Sequence, residues 1–321
     1  MRVLVIGAGA LGSLFAARLA AGGHDVLLLG RSPDHAEVIS RHGLVIRYPS
    51  SGKEEVVRFP ATAEDQARPC ADLIIFLTKS QDTEAAAARA ARHAGPGTVL
   101  LSLQNGIGNL ERICREMPGA AALAGVTAVG SRLVAAGRIE VTEGVEFGTA
   151  VSSLGPWLET CSVTTAQRVA HLLGACGLRS EPFADIQPLI WTKLAMACAM
   201  NAVASIARVG VGAIMRAEPG RNLIACVVDE IAAIAIAKGI ALDPAALRET
   251  CFTTYEGCLT HVPSMATDVL EGRRTEVGAL NEAVVREAAA QGLEAPVNRT
   301  LARLVRLIEG SYSDLLAPGG R

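Results

Sequence analysis

"RVLVIGAGALGSLFAARLAAGG", residues 2–23, opens on a short apolar run and closes on two glycines. "RVLVIG" has the length and branching of a buried strand. "ALGSLFAARLAAGG" predicts a helix stopped by Gly22 and Gly23. Between them Gly7-Ala8-Gly9-Ala10-Leu11-Gly12 matches G-x-G-x-x-G. Gly7 permits the tight turn, Gly9 lets a pyrophosphate approach the backbone, and Gly12 lets helix lie close on strand. The phosphates then rest on the first N–H groups of the helix. Taken alone the motif is weak, but a second strand-like run, "DVLLLG" (25–30), follows in order. Strand, turn, helix and strand together predict a dinucleotide-binding unit.

The end of that second strand bears on which nucleotide is taken. A chain selecting NAD usually has Asp or Glu there to hold the ribose 2′-hydroxyl. This one has Gly30-Arg31-Ser32. With no carboxylate to repel it, a 2′-phosphate pairs with Arg31 and takes a hydrogen bond from Ser32, so NADP is expected. The plainer reading of Arg31 is a solvated loop arginine.

Further strands are expected in "ADLIIFLTK" (71–79), "TVLLSLQNG" (98–106) and "AALAGVT" (121–127). Ligands of open α/β sheets gather at the carboxyl ends of strands, where Lys79 and Asn105 fall. Either is equally an ordinary polar residue entering a loop. "RIEVTEGVEFGTA" (138–150) alternates as a hairpin extending the sheet would.

Past about residue 184 the pattern turns helical. "IQPLIWTKLAMACAMNAVASIAR" (186–208) is too apolar to cover only one face, and "LIACVVDEIAAIAIAKG" (223–239) ends on Lys238 and Gly239. Asp243-Pro244 starts another helix, and "TEVGALNEAVVREAAAQG" (275–292) and "APVNRTLARLVRLIEG" (295–310) supply two more. The tail "APGGR" (317–321) is expected to fray. The fold class is therefore α/β: a Rossmann-type dinucleotide-binding domain over 1–184, then an all-helical domain over 185–321.

Inside the first of those helices, Lys193 and Asn201 are out of character. Each four-residue step turns about 400°, so positions 193, 197 and 201 drift by only about 40° per step and share one stripe. Facing a cleft, the lysine binds a carboxylate or 2-oxo group and gives a proton to a developing alkoxide. Facing elsewhere, it snorkels while the asparagine bonds a neighbouring carbonyl.

Composition removes several classes. Thirty basic residues against thirty-two acidic, with 3% aromatics, leave neither a nucleic-acid footprint nor a basic membrane face. Apolar runs are expected to break before a full membrane span accumulates. The N-terminus imitates a signal peptide, but its glycines fall at fingerprint spacing. Eight cysteines without a CxxC pair and six histidines without ligand spacing argue against a metal and for reduced, cytoplasmic thiols.

"GAGALG", "GR" after the second strand, "TK" at Lys79, "QNGIG" at Asn105, "WTKLA" at Lys193 and "SMATDVLEGRRTE" (264–276) come in that order. The set resembles the ketopantoate reductase (2-dehydropantoate 2-reductase) family over almost the whole chain. That resemblance implies NADPH as cofactor, a small 2-oxo acid as substrate and Lys193 as general acid. It implies Asn105 at both cofactor and substrate, Lys79, Arg31 and Ser131 at the cofactor, and Ser264 at the substrate carboxylate. Glu276 would organise the site and touch substrate or cofactor, and Asn201 matches one of the family's helix amides. Bottom-up, Glu276 beside Lys193 would favour the ammonium while desolvation opposes it. Glu276 is also a carboxylate before a helix, and Ser264 a cap after Pro263. Ala197 and Val211 stand where the family carries amides, which leaves open another branched 2-oxo acid; a non-catalytic NADP(H) sensor is a third, separate reading. A homodimer is the expected assembly.

Overall fold

The computed structural model describes residues 1–65, 69–157 and 161–314, so the expectation for 317–321 lies outside the described residues. Two compact units emerge. One holds Met1–Gln104 with Asn109–Ile186, the other Asn105–Gly108 with Gln187–Arg321.

The first unit begins with β1 (Arg2–Ile6), α1 (Ala10–Ala21), β2 (Asp25–Leu29) and α2 (Pro33–His42). There follow β3 (Leu44–Arg47), β4 (Glu54–Val57), β5 (Ala61–Thr62), β6 (Leu73–Phe76) and α3 (Thr83–Ala91). Then come β7 (Val99–Ser102), α4 (Asn109–Glu116), β8 (Ala121–Thr127), β9 (Ser131–Ala135) and β10 (Arg138–Val141). It ends with α5 (Glu143–Glu146), β11 (Ser152–Pro156), α6 (Val163–Ala175) and β12 (Ser180–Pro182). The main sheet runs β5-β2-β1-β6-β7-β8-β11-β12. Pairing is parallel from β5 to β8, and β11 then runs antiparallel to β8. Its order reverses beside β1, flanked by β2 and β6, which is where such sheets open a ligand crevice. β1, β2 and β6 are buried nearly end to end, as strands covered on both faces must be.

A second sheet, β4-β3-β10-β9, was not anticipated. It corrects the hairpin expected over 138–150. β10 instead pairs with the preceding β9 across a turn at Gly137 (φ 68), and with β3, while 143–146 is helical. Gly137 takes the left-handed position of that turn, the register shifts between Arg138 and Ile139, and the chain turns into α5 after Thr142. The second sheet also explains why α1 lacks a polar stripe. Leu14, Phe15 and Leu19 join Val5 and Leu28 of one sheet to Ile46 and Ile139 of the other in one core.

The second unit contains α7 (Gln187–Ala207), α8 (Val211–Arg216), α9 (Glu218–Ala237), α10 (Pro244–Glu256), α11 (Ser264–Leu270), α12 (Asn281–Ala290) and α13 (Pro296–Gly310). α7 is central, packed by α8, α9, α10, α11 and α13. By length and composition it is apolar enough to cross a membrane, contrary to the expectation that every run breaks too soon; 67% of that window is buried by its neighbours. Asp243 caps α10, accepting from Ala245 N at 3.0 Å. α12 starts at Asn281, six residues later than expected, because 276–280 form a turn: Ala279 N and Leu280 N both donate to Glu276 O.

Candidate active site

In the first unit the glycines divide their labour as geometry requires. Gly7 sits at φ 115 with the chain leaving β6 against it: a Cβ there would lie 2.5 Å from Leu77 C. A Cβ on Gly12 would lie 1.9 Å from Gly7 O. Gly9 has nothing within 4 Å of the same position, so its backbone is open to a ligand. Gly9 caps α1 without any side-chain hydrogen bond, which leaves the N–H groups of Ala10, Leu11 and Gly12 directed at that space. Ser131, at the start of β9, has a buried Oγ with no hydrogen-bond partner. Buried hydroxyls seldom go unpaired, so this one also fits a bound group. These residues suit a dinucleotide.

Arg31 leaves the end of β2 and is 78% exposed. Ser32 caps α2, its hydroxyl oxygen accepting from His35 N, which leaves its O–H able to donate to a phosphate. Arg31 is not without a carboxylate, because Asp82 Oδ1 lies 2.7 Å from its Nη1. Lys79 is half-buried at the head of a short 3-10 turn, Ser80–Asp82. Gln104, which the sequence reading passed over, braces that segment by donating to Thr78 O at 3.1 Å and Thr83 Oγ1 at 2.8 Å.

In the second unit Lys193 is half-buried on α7. Burial pushes its ammonium below the ordinary lysine range, with Cys258 partly opposing the shift. Its neighbours feel it in turn. Burial raises the Cys258 thiol and Lys193 lowers it; burial and then Lys193 lower His261. Cys258 and His261, both missed by the sequence reading, therefore lie within electrostatic reach of the lysine. No local pattern links 193 to 258 or 261, so only the fold reveals them.

Asn201 behaves as the plainer reading held. Its Nδ2 donates to Ala197 O at 2.9 Å, and its Oδ1 accepts from Met265 N at 3.4 Å. The amide thereby ties α7 to the first turn of α11, where Ser264 is exposed. Val211 is 1% exposed and its N–H donates to His261 O, so it belongs to the core. The loop 105–108, which carries Asn105, docks on Ala279, in the turn that Glu276 opens. Ile107 N donates to Ala279 O at 3.0 Å, and Gly106 (φ 81) leaves no room for a side chain against that same carbonyl.

Residues 3–152 match the family described as Ketopantoate reductase PanE/ApbA, and residues 185–309 match its C-terminal counterpart. The chain belongs to the ketopantoate reductase PanE/ApbA family. The 2-dehydropantoate 2-reductase of Halobacterium salinarum is 32% identical over 309 residues, covering 96% of this chain and 99% of that protein. The enzyme of the same name from Pyrococcus abyssi is 33% identical over 307 residues, covering 95% and 97%. Among solved structures, a PanE/ApbA family ketopantoate reductase from Ralstonia eutropha superposes with TM-score 0.85 at 30% identity, covering 98% of this chain and all of that one. D-mandelate dehydrogenase, in a ternary structure with NADH and anilino(oxo)acetate, superposes with TM-score 0.89 at 26% identity over 98% and 100%. Family membership accounts for the division into a nucleotide unit and a helical unit carrying one desolvated lysine.

Proposed function

We propose that this chain reduces 2-dehydropantoate to D-pantoate with NADPH. The observation that carries the reading is Lys193: the one charged side chain of a largely apolar helix, desolvated and with its pKa lowered by that burial. When bound, the nicotinamide supplies hydride to the ketone carbon. Lys193 Nζ gives the proton to the ketone oxygen and attracts the anionic substrate until it does. Gly7, Ala8, Gly9, Ala10, Leu11 and Gly12 hold pyrophosphate, and Arg31, Lys79 and Ser131 hold the rest of the nucleotide. Asn105 and Glu276 orient substrate beside it, and Ser264 takes the carboxylate. Asn201 contributes by fixing the turn that carries Ser264. We read 1–184 as the cofactor domain and 185–321 as the substrate and dimerisation domain. We further read the protein as a cytoplasmic homodimer working off the membrane; eight free thiols and the exposed Leu304 and Leu307 of α13 support this.

A second reading is a reductase of a different 2-oxo acid. Ala197 on the lysine stripe and the likeness to D-mandelate dehydrogenase favour it. NADPH oxidation with 2-dehydropantoate beside phenylglyoxylate and aliphatic 2-oxo acids decides. Preference for 2-dehydropantoate by orders of magnitude in kcat/KM supports the first reading, and preference for an aryl acid the second. No turnover with any, while NADPH still binds, overturns both and favours the sensor.

A further inference from the structure

Arg31 leaves β2 from a backbone fixed on both sides. Gly30 N donates to Thr62 O at 2.9 Å, and Gly30 O accepts from Arg89 Nη1 at 2.8 Å. Arg89 is committed elsewhere too, with Nε 2.7 Å from Asp65 Oδ1. A Cβ on Gly30 would meet the Ala8 Cβ at 2.4 Å, so the strand end lies directly against the glycine-rich turn. Only the exposed Arg31 side chain is left to move, and its carboxylate partner is Asp82 at 2.7 Å.

Asp82 is the less exposed member, at 19% against 78%. It stands at the N-cap of α3, a position where aspartate normally bonds the first amides of its own helix. Here it makes no such bond. The carboxylate is directed at the arginine instead. The acid absent from the end of β2 thus arrives from a different segment, brought there by the fold.

We propose that Asp82 is a cofactor-specificity residue that weakens discrimination between a 2′-phosphate and a 2′-hydroxyl. The inference rests on the NADP(H) reading given above. A 2′-phosphate competes with the Asp82 carboxylate for one guanidinium and is repelled by it. A ribose 2′-hydroxyl meets no such opposition, since a carboxylate accepts its hydrogen bond.

The test is calorimetric titration of the full-length protein with 2′,5′-ADP and with 5′-ADP, which needs no turnover. Asp82→Asn should tighten 2′,5′-ADP relative to 5′-ADP by about 1.5- to fivefold, the scale of one exposed ion pair. Asp82→Ser, which also keeps a good capping residue, should do the same. In an Arg31→Ala background the gain should shrink to the part that direct repulsion by Asp82 supplies. Unchanged or weaker 2′,5′-ADP binding in both variants overturns the proposal, as does an equal gain without Arg31. Wild-type protein that binds neither nucleotide would instead overturn the NADP(H) reading itself.

Discussion

Replacing Gly106 and Gly272 by alanine separates backbone strain from collision in the helical unit. Both glycines have positive φ, 81 and 66, so each alanine costs about 1 kcal/mol in the left-handed region. Gly272 has nothing within 4 Å of the added carbon, so Gly272→Ala should cost that and little more. At Gly106 the carbon would stand 2.2 Å from Ala279 O and 2.7 Å from Ala279 C, backbone atoms that cannot swing aside. The loop must back away, which breaks the Ile107 N to Ala279 O bond, worth about 1 kcal/mol net, and opens packing worth roughly as much again. The total is about 3 kcal/mol. For a unit of this size that lowers Tm by about 10 °C, against about 3 °C for Gly272→Ala. The probe is fluorescence of Trp191, 2% exposed on α7, in a Trp157→Phe background. Because the loop carries Asn105, kcat/KM should also drop in Gly106→Ala and hold in Gly272→Ala. Equal losses of Tm in the two variants would refute the reasoning.

Lys193→Ala should lower kcat by about 10² to 10⁴ while NADPH affinity, read by fluorescence titration, stays near wild type. A loss of binding with no change in turnover would contradict the role given to the lysine. Since Lys193 must be protonated to act, kcat should fall as pH rises through its pKa, which lies below the usual 10.5; Lys193→Arg, though slow, should lose that alkaline limb. His35 is held neutral, its Nδ1 accepting from Gly137 N and its Nε2–H donating to Ser13 Oγ, both at 3.0 Å, and burial lowers its pKa from 6.5. The unfolded chain therefore binds that proton first. Stability from this site is complete above pH 6.5 and is lost as pH falls through 6.5 toward the folded value. Melting at pH 7.5 and 5.5 should show a smaller acid loss in His35→Gln than in wild type. Asn201→Leu should cost about 1–2 kcal/mol by leaving Met265 N–H unpaired, with KM rising more than kcat falls if Ser264 shifts.

What could be read from the chain was local. The glycine turn and its flanking strands lie within thirty residues, and each glycine's task follows from its own sterics. The helix containing Lys193 declares itself by its apolar run, and α10 by its Asp243 cap. The second sheet did not, because β4 and β9 are largely exposed edge strands with no continuous apolar signal. The late start of α12 was hidden too: 275–280 has helical composition, but Ala279 O is taken by a loop far upstream. The ion pair of Arg31 with Asp82, and the influence of Lys193 on Cys258 and His261, join residues with no sequence spacing to betray them.

The loop 105–108 leaves the sheet unit, docks on Ala279 and returns. A ribosome making this chain at about 5–20 residues per second would release Ala279 on the order of ten to thirty seconds after Ile107. Over that interval the nascent sheet unit carries its glycine turn and Arg31 but an undocked Gly106. Products of interrupted translation would remain in that state, open to proteases at the loop. Synthesis of the last third of the chain therefore completes the first third.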